Sequence, residues 1–163
     1  MLRLLEAGDA DFEWMIRGEP REHRGLSLPP GGVDDVATLE HVRGIARALA
    51  ARDCKASWLM VVGDEVVGLC GFRRPPESGG SVEIGYGVAA SRRRRGYATA
   101  AVGAIVRFAE REPIRAVVAE TAVANAASQR VLAKNGFLRT GSRIDSVDGE
   151  LLRWERLRTA SER

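Results

Sequence analysis

The sequence predicts one α/β (α+β) domain built on a central, mostly antiparallel mixed sheet, and three observations carry that expectation. Its 163 residues suit a single domain whose core needs no disulfide or metal to support it. Short strand-like runs alternate with segments of helical apolar period. Polar glycine turns join consecutive runs, as in antiparallel hairpins. No repeat, linker or low-complexity stretch interrupts the chain, so a single domain over 1–163 is expected.

Residues 2–5, Leu-Arg-Leu-Leu, form a short strand, and Asp9 is a suitable N-cap for a helix over 10–17. Residues 18–32 carry three prolines and four glycines around Arg21, Glu22, His23 and Arg24, which reads as a long irregular connection able to shape a substrate site. Asp34 or Asp35 then opens a helix in which Val36, Leu39, Val42, Ile45, Ala46 and Leu49 recur at helical spacing. Residues 57–62 and 65–72 make a hairpin about Gly63-Asp64, and 81–88 add a third strand after a Pro-Pro-Glu-Ser-Gly-Gly loop. Ala98, Ala101, Val102, Ile105, Val106 and Ala109 mark a helix over 96–111, stopped near Pro113. A strand over 115–120, a helix over 125–134 closed by Asn135-Gly136, and strands over 137–144 and 150–157 complete the chain.

Composition narrows the function. With 45% apolar and 29% charged residues the chain reads as a soluble globular protein, and its longest apolar run, near Trp58, is far too short for a bilayer. Glu6 follows the first residues at once and no cleavage signal is present, so the expected location is cytoplasmic, with no membrane partner. Cys70 lies in an apolar run as a small hydrophobe, and His23 and His41 are too isolated for a metal site, so no metal is expected. The net charge of +3 is local: Arg92-Arg93-Arg94-Arg95 supply four of 25 basic residues, and the remaining 21 face 22 acidic ones. Such a run meets an anion or is simply a solvated turn. The rest of the chain lacks a basic face interleaved with aromatics, so nucleic acid is not an expected partner.

The residues on either side of the arginines bear on that choice. A strand ending at Val88, a short polar connection and a helix starting near Gly96 gather exposed N–H groups and the positive end of a helix dipole, and Gly96 permits close backbone approach. Strand, glycine turn and helix start also occur as a plain connection.

Arg93-Arg94-Arg95-Gly96-Tyr97-Ala98 resembles the R/Q-x-x-G-x-G/A signature of the GCN5-related N-acetyltransferase (GNAT) superfamily. Glu83-Ile84-Gly85-Tyr86-Gly87-Val88 before it and Ala98-Thr99-Ala100-Ala101 after it look like the family's fourth strand and third helix. Residues 125–137, Asn-Ala-Ala-Ser-Gln-Arg-Val-Leu-Ala-Lys-Asn-Gly-Phe, are similar to the N-x-x-S-x-x-V-L-x-K-x-G-F segment of the branch containing the ribosomal-protein N-terminal acetyltransferases. The resemblance implies about seven strands, splayed between the fourth and fifth, with about four helices. It implies acetyl-CoA as cosubstrate, its pyrophosphate on the backbone of residues 93–98, and direct attack by a primary amine in a ternary complex. A homodimer is the oligomeric expectation, and the amine acceptor stays open. Three departures stand out: Ala90 where proline is frequent, Arg94 where glycine is frequent, and Leu132 at the tyrosine that protonates the departing thiolate in many members.

The chemistry needs a neutral amine, stabilisation of an oxyanion and a route for the thiolate. The resemblance makes Tyr86, Gly87 and Val88 the expected backbone contacts to pantetheine or the acetyl oxygen. Asn125 either binds the pantetheine arm or caps the helix it opens. Ser128, one turn further on, either assists thiolate departure or satisfies local donors. Glu83 is either the base, acting through water from a half-buried strand, or an ordinary ion-paired residue. Glu120 and His23 are second and third candidates for the base. A CoA-binding module without transferase activity is the alternative function.

Overall fold

The computed structural model describes residues 1–18, 21–77 and 79–159. Along the chain run β1 (Leu2–Glu6), α1 (Asp9–Arg17), α2 (Val36–Ala51), β2 (Ser57–Val62), β3 (Glu65–Phe72) and β4 (Ser81–Val88). After a 3-10 turn at Ala90–Arg92 come α3 (Tyr97–Ala109), β5 (Ala116–Ala122), α4 (Ala126–Lys134), β6 (Leu138–Asp145) and β7 (Gly149–Leu157). The strands form one mixed sheet in the order β1-β2-β3-β4-β5-β7-β6. Every neighbouring pair is antiparallel except β4 and β5.

The strands are two-sided. In β2, Trp58 and Met60 join the core under α3 and α4, with Val102, Ile105 and Leu132. Leu59 and Val61 join the opposite core under α1 and α2, with Phe12, Met15 and Leu39. A sheet apolar on both faces must be covered on both, and burial at about 25 cal/mol per Å² of apolar surface drives that layering.

Two expectations about helix starts are corrected. Gly8, not Asp9, is the N-cap of α1, and the Asp11 carboxylate returns to accept from the Gly8 amide at 2.7 Å. Asp9 is occupied elsewhere: its carboxylate takes paired hydrogen bonds from Arg43 and Arg47 on α2, at 2.7–3.1 Å. Those bonds hold its pKa far below the ordinary carboxylate value and tie α1 to α2. Helix α3 is shorter than the expected span of 96–111: Gly96 sits at φ +78° as its N-cap outside the helix, and Glu110 caps its other end.

The connection after α1 is irregular, as expected, but anchored: Leu26 is buried and Ser27 bonds Asp64 and Val66 by its backbone. Glu19 and Pro20 of that connection lie outside the described residues. Asp11, 2% exposed, is satisfied by the Gly8 amide, His23 and Arg24.

The feature that positions the site is an opening in the sheet. Residues Ile84 to Val88 of β4 pair with β3, but β5 meets β4 only at Ser81, Val82 and Glu83. Beyond Glu83 the two parallel strands part. The Arg73 amide donates to the Glu83 carbonyl and the Ala89 amide to the Val67 carbonyl, so the peptides of odd-numbered β4 residues face β3. By strand alternation those of Tyr86 and Val88 face the opening, beyond the last rung to β5.

Candidate active site

The opening runs into the start of α3. Among the described residues, the amides of residues 94–99 have no hydrogen-bond partner, the usual state of a helix's first turn and the property that lets it bind anions. A β-carbon built on Gly96 would meet no protein atom within 4 Å, so the space before these amides is open. Arg94 sits at φ +64°, in the left-handed region that costs a non-glycine residue roughly 1–2 kcal/mol. That backbone explains why glycine is frequent at this position in the family.

The arginine run divides its labour. Arg92 pairs with Glu65 through both ends of its guanidinium, at 2.6 and 3.0 Å. Arg93 donates from Nε to the Val88 carbonyl at 3.3 Å, pinning the loop to the end of β4. Arg94 and Arg95 are exposed and make no ion pair among the described residues. Tyr97 and Ala98 are half-buried at the top of α3, and the Tyr97 side chain packs on the core.

On the far side of the opening stands α4. Asn125 is its N-cap, its side-chain oxygen accepting from the Ser128 amide at 3.1 Å. Ser128 Oγ in turn lies 2.6 Å from the phenol oxygen of Tyr86. This contact joins β4 to α4 across the gap between β4 and β5, and sequence reasoning missed it. Burial raises the Tyr86 phenol above its ordinary pKa, against a smaller opposing effect of the Ser128 hydrogen bond. The phenol therefore stays protonated through the neutral range. Leu132 is fully buried in the core and offers no proton.

The opposite face of β4 borders a cavity of about 340 Å³, lined by Val33, Asp34, Thr38, His41, Val42, Ile45, Leu69, Arg73, Gly85, Gly87 and Asp148, among others. Two glycines make the room: a β-carbon at Gly85 would touch Arg73 at 3.5 Å, and one at Gly87 would come 3.9 Å from the Asp34 carboxylate. Gly87 turns its own peptide toward β3, so it contributes absence of a side chain where a free amide was expected.

Each of the three carboxylate and histidine candidates for a base already has a partner. Glu83 faces the same way as Gly85 and Gly87, but Arg74 holds its carboxylate at 3.0 Å and Arg73 approaches at 3.6 Å. Glu120 is paired with Arg143 at 2.7 Å. His23 bonds Asp11 at 2.9 Å and stacks on Trp14, away from the cavity lining. Trp58 packs edge-on against Phe72 and Phe108. Among the described residues no group of His, Cys, Asp or Glu side chains is arranged to hold a metal. Burial pushes the Cys70 thiol up to about 12, as suits an inert core residue. No helix among the described residues is long and apolar enough to cross a membrane.

A mixed sheet parted beside an unpaired helix start defines a class of α/β domain with room for an extended ligand that carries an anionic group. The model of the acetyltransferase (GNAT) domain family matches residues 1–138, and the chain belongs to that family. A curated relative, the uncharacterized N-acetyltransferase YjdG of Bacillus subtilis (strain 168), is 36% identical over 85 residues. That match covers 50% of this chain and 51% of the relative, so the chain spans about half the length of the curated protein it matches. Among solved structures, the ribosomal L7/L12 alpha-N-protein acetyltransferase RimL in complex with coenzyme A superimposes with a TM-score of 0.69 at 22% identity, over 96% of this chain and 93% of that one. The aminoglycoside acetyltransferase AAC(6')-Ib with acetyl-CoA gives 0.71 at 20% identity, over 99% and 96%. Ard1 from Thermoplasma volcanium gives 0.72 at 17%, over 98% and 99%. Likeness at these identities is likeness of fold.

Proposed function

We propose that this chain is a cytoplasmic acetyl-CoA-dependent N-acetyltransferase, moving the acetyl group onto a primary amine by direct attack in a ternary complex. One observation carries the reading: the unpaired edge of β4 at Tyr86 and Val88 leads directly to the unpartnered amides at the start of α3. A parted sheet edge and a helix start both present free donors, and a ligand with an amide-bearing arm and a pyrophosphate fits both at once.

Acetyl-CoA, when bound, supplies an acyl group activated as a thioester. The amides of residues 94–98 with Arg93, Arg94 and Arg95 hold its pyrophosphate. The amides of Tyr86 and Val88 hold the pantetheine arm and polarise the acetyl carbonyl. Asn125, by capping α4, fixes Ser128, and Ser128 with the Tyr86 phenol delivers a proton to the departing sulfur. Forming the N–C bond and breaking the C–S bond frees two protons from the ammonium, of which one goes to sulfur and one to solvent. Glu83, a candidate base by its place on the strand, is assigned instead to holding Arg73 at the cavity wall, because its carboxylate is already ion-paired. A homodimer belongs to the same reading by family likeness.

The test is titration of the protein with acetyl-CoA, repeated on Gly96→Glu, which forces a side chain and a negative charge into the helix start. Binding that is lost in the variant by a factor of about 100 or more supports the reading. Failure of the unaltered protein to bind would overturn it. Binding without thiol release from any amine would leave a CoA-binding module.

A further inference from the structure

The cavity on the α2 face of β4 has a composition that selects among amines. Its charged lining comes from every neighbouring element: Asp34 ahead of α2, His41 on α2, Arg73 at the end of β3, and Asp148 in the turn between β6 and β7. Arg73 is already matched by Glu83 at 3.6 Å. Asp34 and Asp148 have no cationic partner among the described residues. Asp35, the neighbouring carboxylate, is committed to capping α2 through Thr38 at 2.7 Å, which leaves Asp34 as the one turned over Gly87. Apart from Thr38 and Ser57, the remaining wall is mostly apolar, with Val33, Val42, Ile45 and Leu69.

Resting on the acetyltransferase reading, we infer that the acceptor is a compact amine with an apolar body and no more than two ammonium groups, the reacting one received by Asp34 beside the Gly87 edge of β4. Three considerations converge. The Asp34 carboxylate stands 3.9 Å from the point where a Gly87 side chain would begin, so a cation paired with it lies next to the strand that borders the opening. A volume of about 340 Å³ is at the small end for ligand sites, enough for one ring or one branched side chain. With Asp34 and Asp148 each matched, a third ammonium would be stripped of water against Val33, Val42, Ile45 and Leu69 with no carboxylate to receive it, which disfavours polycations. The same chemistry is offered by a free arylalkylamine and by a peptide beginning with a large apolar residue.

The experiment compares 2-phenylethylamine, a short peptide with N-terminal phenylalanine, spermidine and kanamycin as acceptors at saturating acetyl-CoA, following thiol release. Either apolar amine is expected to exceed both polycations in kcat/KM by tenfold or more, and which one leads separates the two sources. Asp34→Asn should raise KM for the preferred amine about tenfold, with acetyl-CoA affinity and kcat little changed. Gly87→Leu, which fills the cavity, should abolish amine binding seen by ligand-observed NMR while leaving acetyl-CoA titration within a few-fold. A preference for spermidine or kanamycin, or an unaltered KM in Asp34→Asn, would overturn the inference while sparing the acetyltransferase reading. Acetyl-CoA binding with no turnover of any amine would overturn both.

Discussion

Tyr86 and Ser128 meet 42 positions apart in sequence, at 2.6 Å, in a chain whose usual proton-donor position is filled by the buried Leu132. If the pair protonates the departing thiolate, Tyr86→Phe and Ser128→Ala should each lower kcat by about ten- to a hundredfold, the range expected for a lost proton donor. Acetyl-CoA affinity should change little, and the double variant should be no worse than the poorer single one. The sign of the pH effect follows from burial. The Tyr86 phenol has its pKa raised above that of the unfolded chain, so its contribution to stability is present in full below about pH 10 and is lost as pH rises through the folded value. Alkaline melts should therefore show a loss of stability that Tyr86→Phe removes. At this scale the sequence was partly legible. Alternation along the strand put Tyr86 and Glu83 on opposite faces, but nothing local says that Tyr86 reaches a serine on α4. Asp34 and Asp35 are equally good caps on paper, and only the register of the first helical turn frees one of them for the cavity. Asp9 has the local pattern of a cap, and its real partners, Arg43 and Arg47, lie 34 and 38 positions downstream, beyond the reach of any local rule.

Among the elements, β4 governs the site, and its position depends on β3 coming unusually close. A β-carbon on Gly68 would stand 2.4 Å from the Gly87 carbonyl oxygen, closer than any real contact, and the obstruction is backbone that cannot swing aside. Gly68→Ala should therefore push β4 outward and destabilise the fold by about 1–3 kcal/mol, the usual cost of overpacking. Chemical denaturation reads the stability. A matching loss of acetyl-CoA affinity, absent in a control of equal instability such as Ile105→Val on α3, would tie the strand's position to binding. The element order itself was readable because each segment satisfies its own local rule. Asn135-Gly136 stops α4 with Gly136 at φ +79°, Gly63 turns the β2–β3 hairpin, and the apolar period of α3 matches its buried residues. The 3-10 turn at Ala90–Arg92 escaped because three residues carry no period.

At the level of the whole molecule, the sheet is two sheets joined at a short seam, since β4 and β5 share only the pairs from Ser81 to Glu83. A ligand that occupies the opening would bind the native state and not the unfolded chain, adding about 2.7 kcal/mol at a concentration 100 times its dissociation constant. Saturating CoA should accordingly raise the melting temperature by several degrees and slow hydrogen exchange at Tyr86 and Val88 more than in β1 or β2. Equal protection across all strands would argue that the opening is not where the ligand lies. The family match covers residues 1–138, and β6 and β7, with Asp148 in their turn, follow it. That leaves β4 itself as a partition. The cavity lies on one side of it and Ser128 on the other, and only the strand's margin is common ground. On the proposed reading each reactant has its own doorway, so neither product must wait for the other to clear the threshold, and traffic through one entrance can be altered by mutation while the other continues undisturbed.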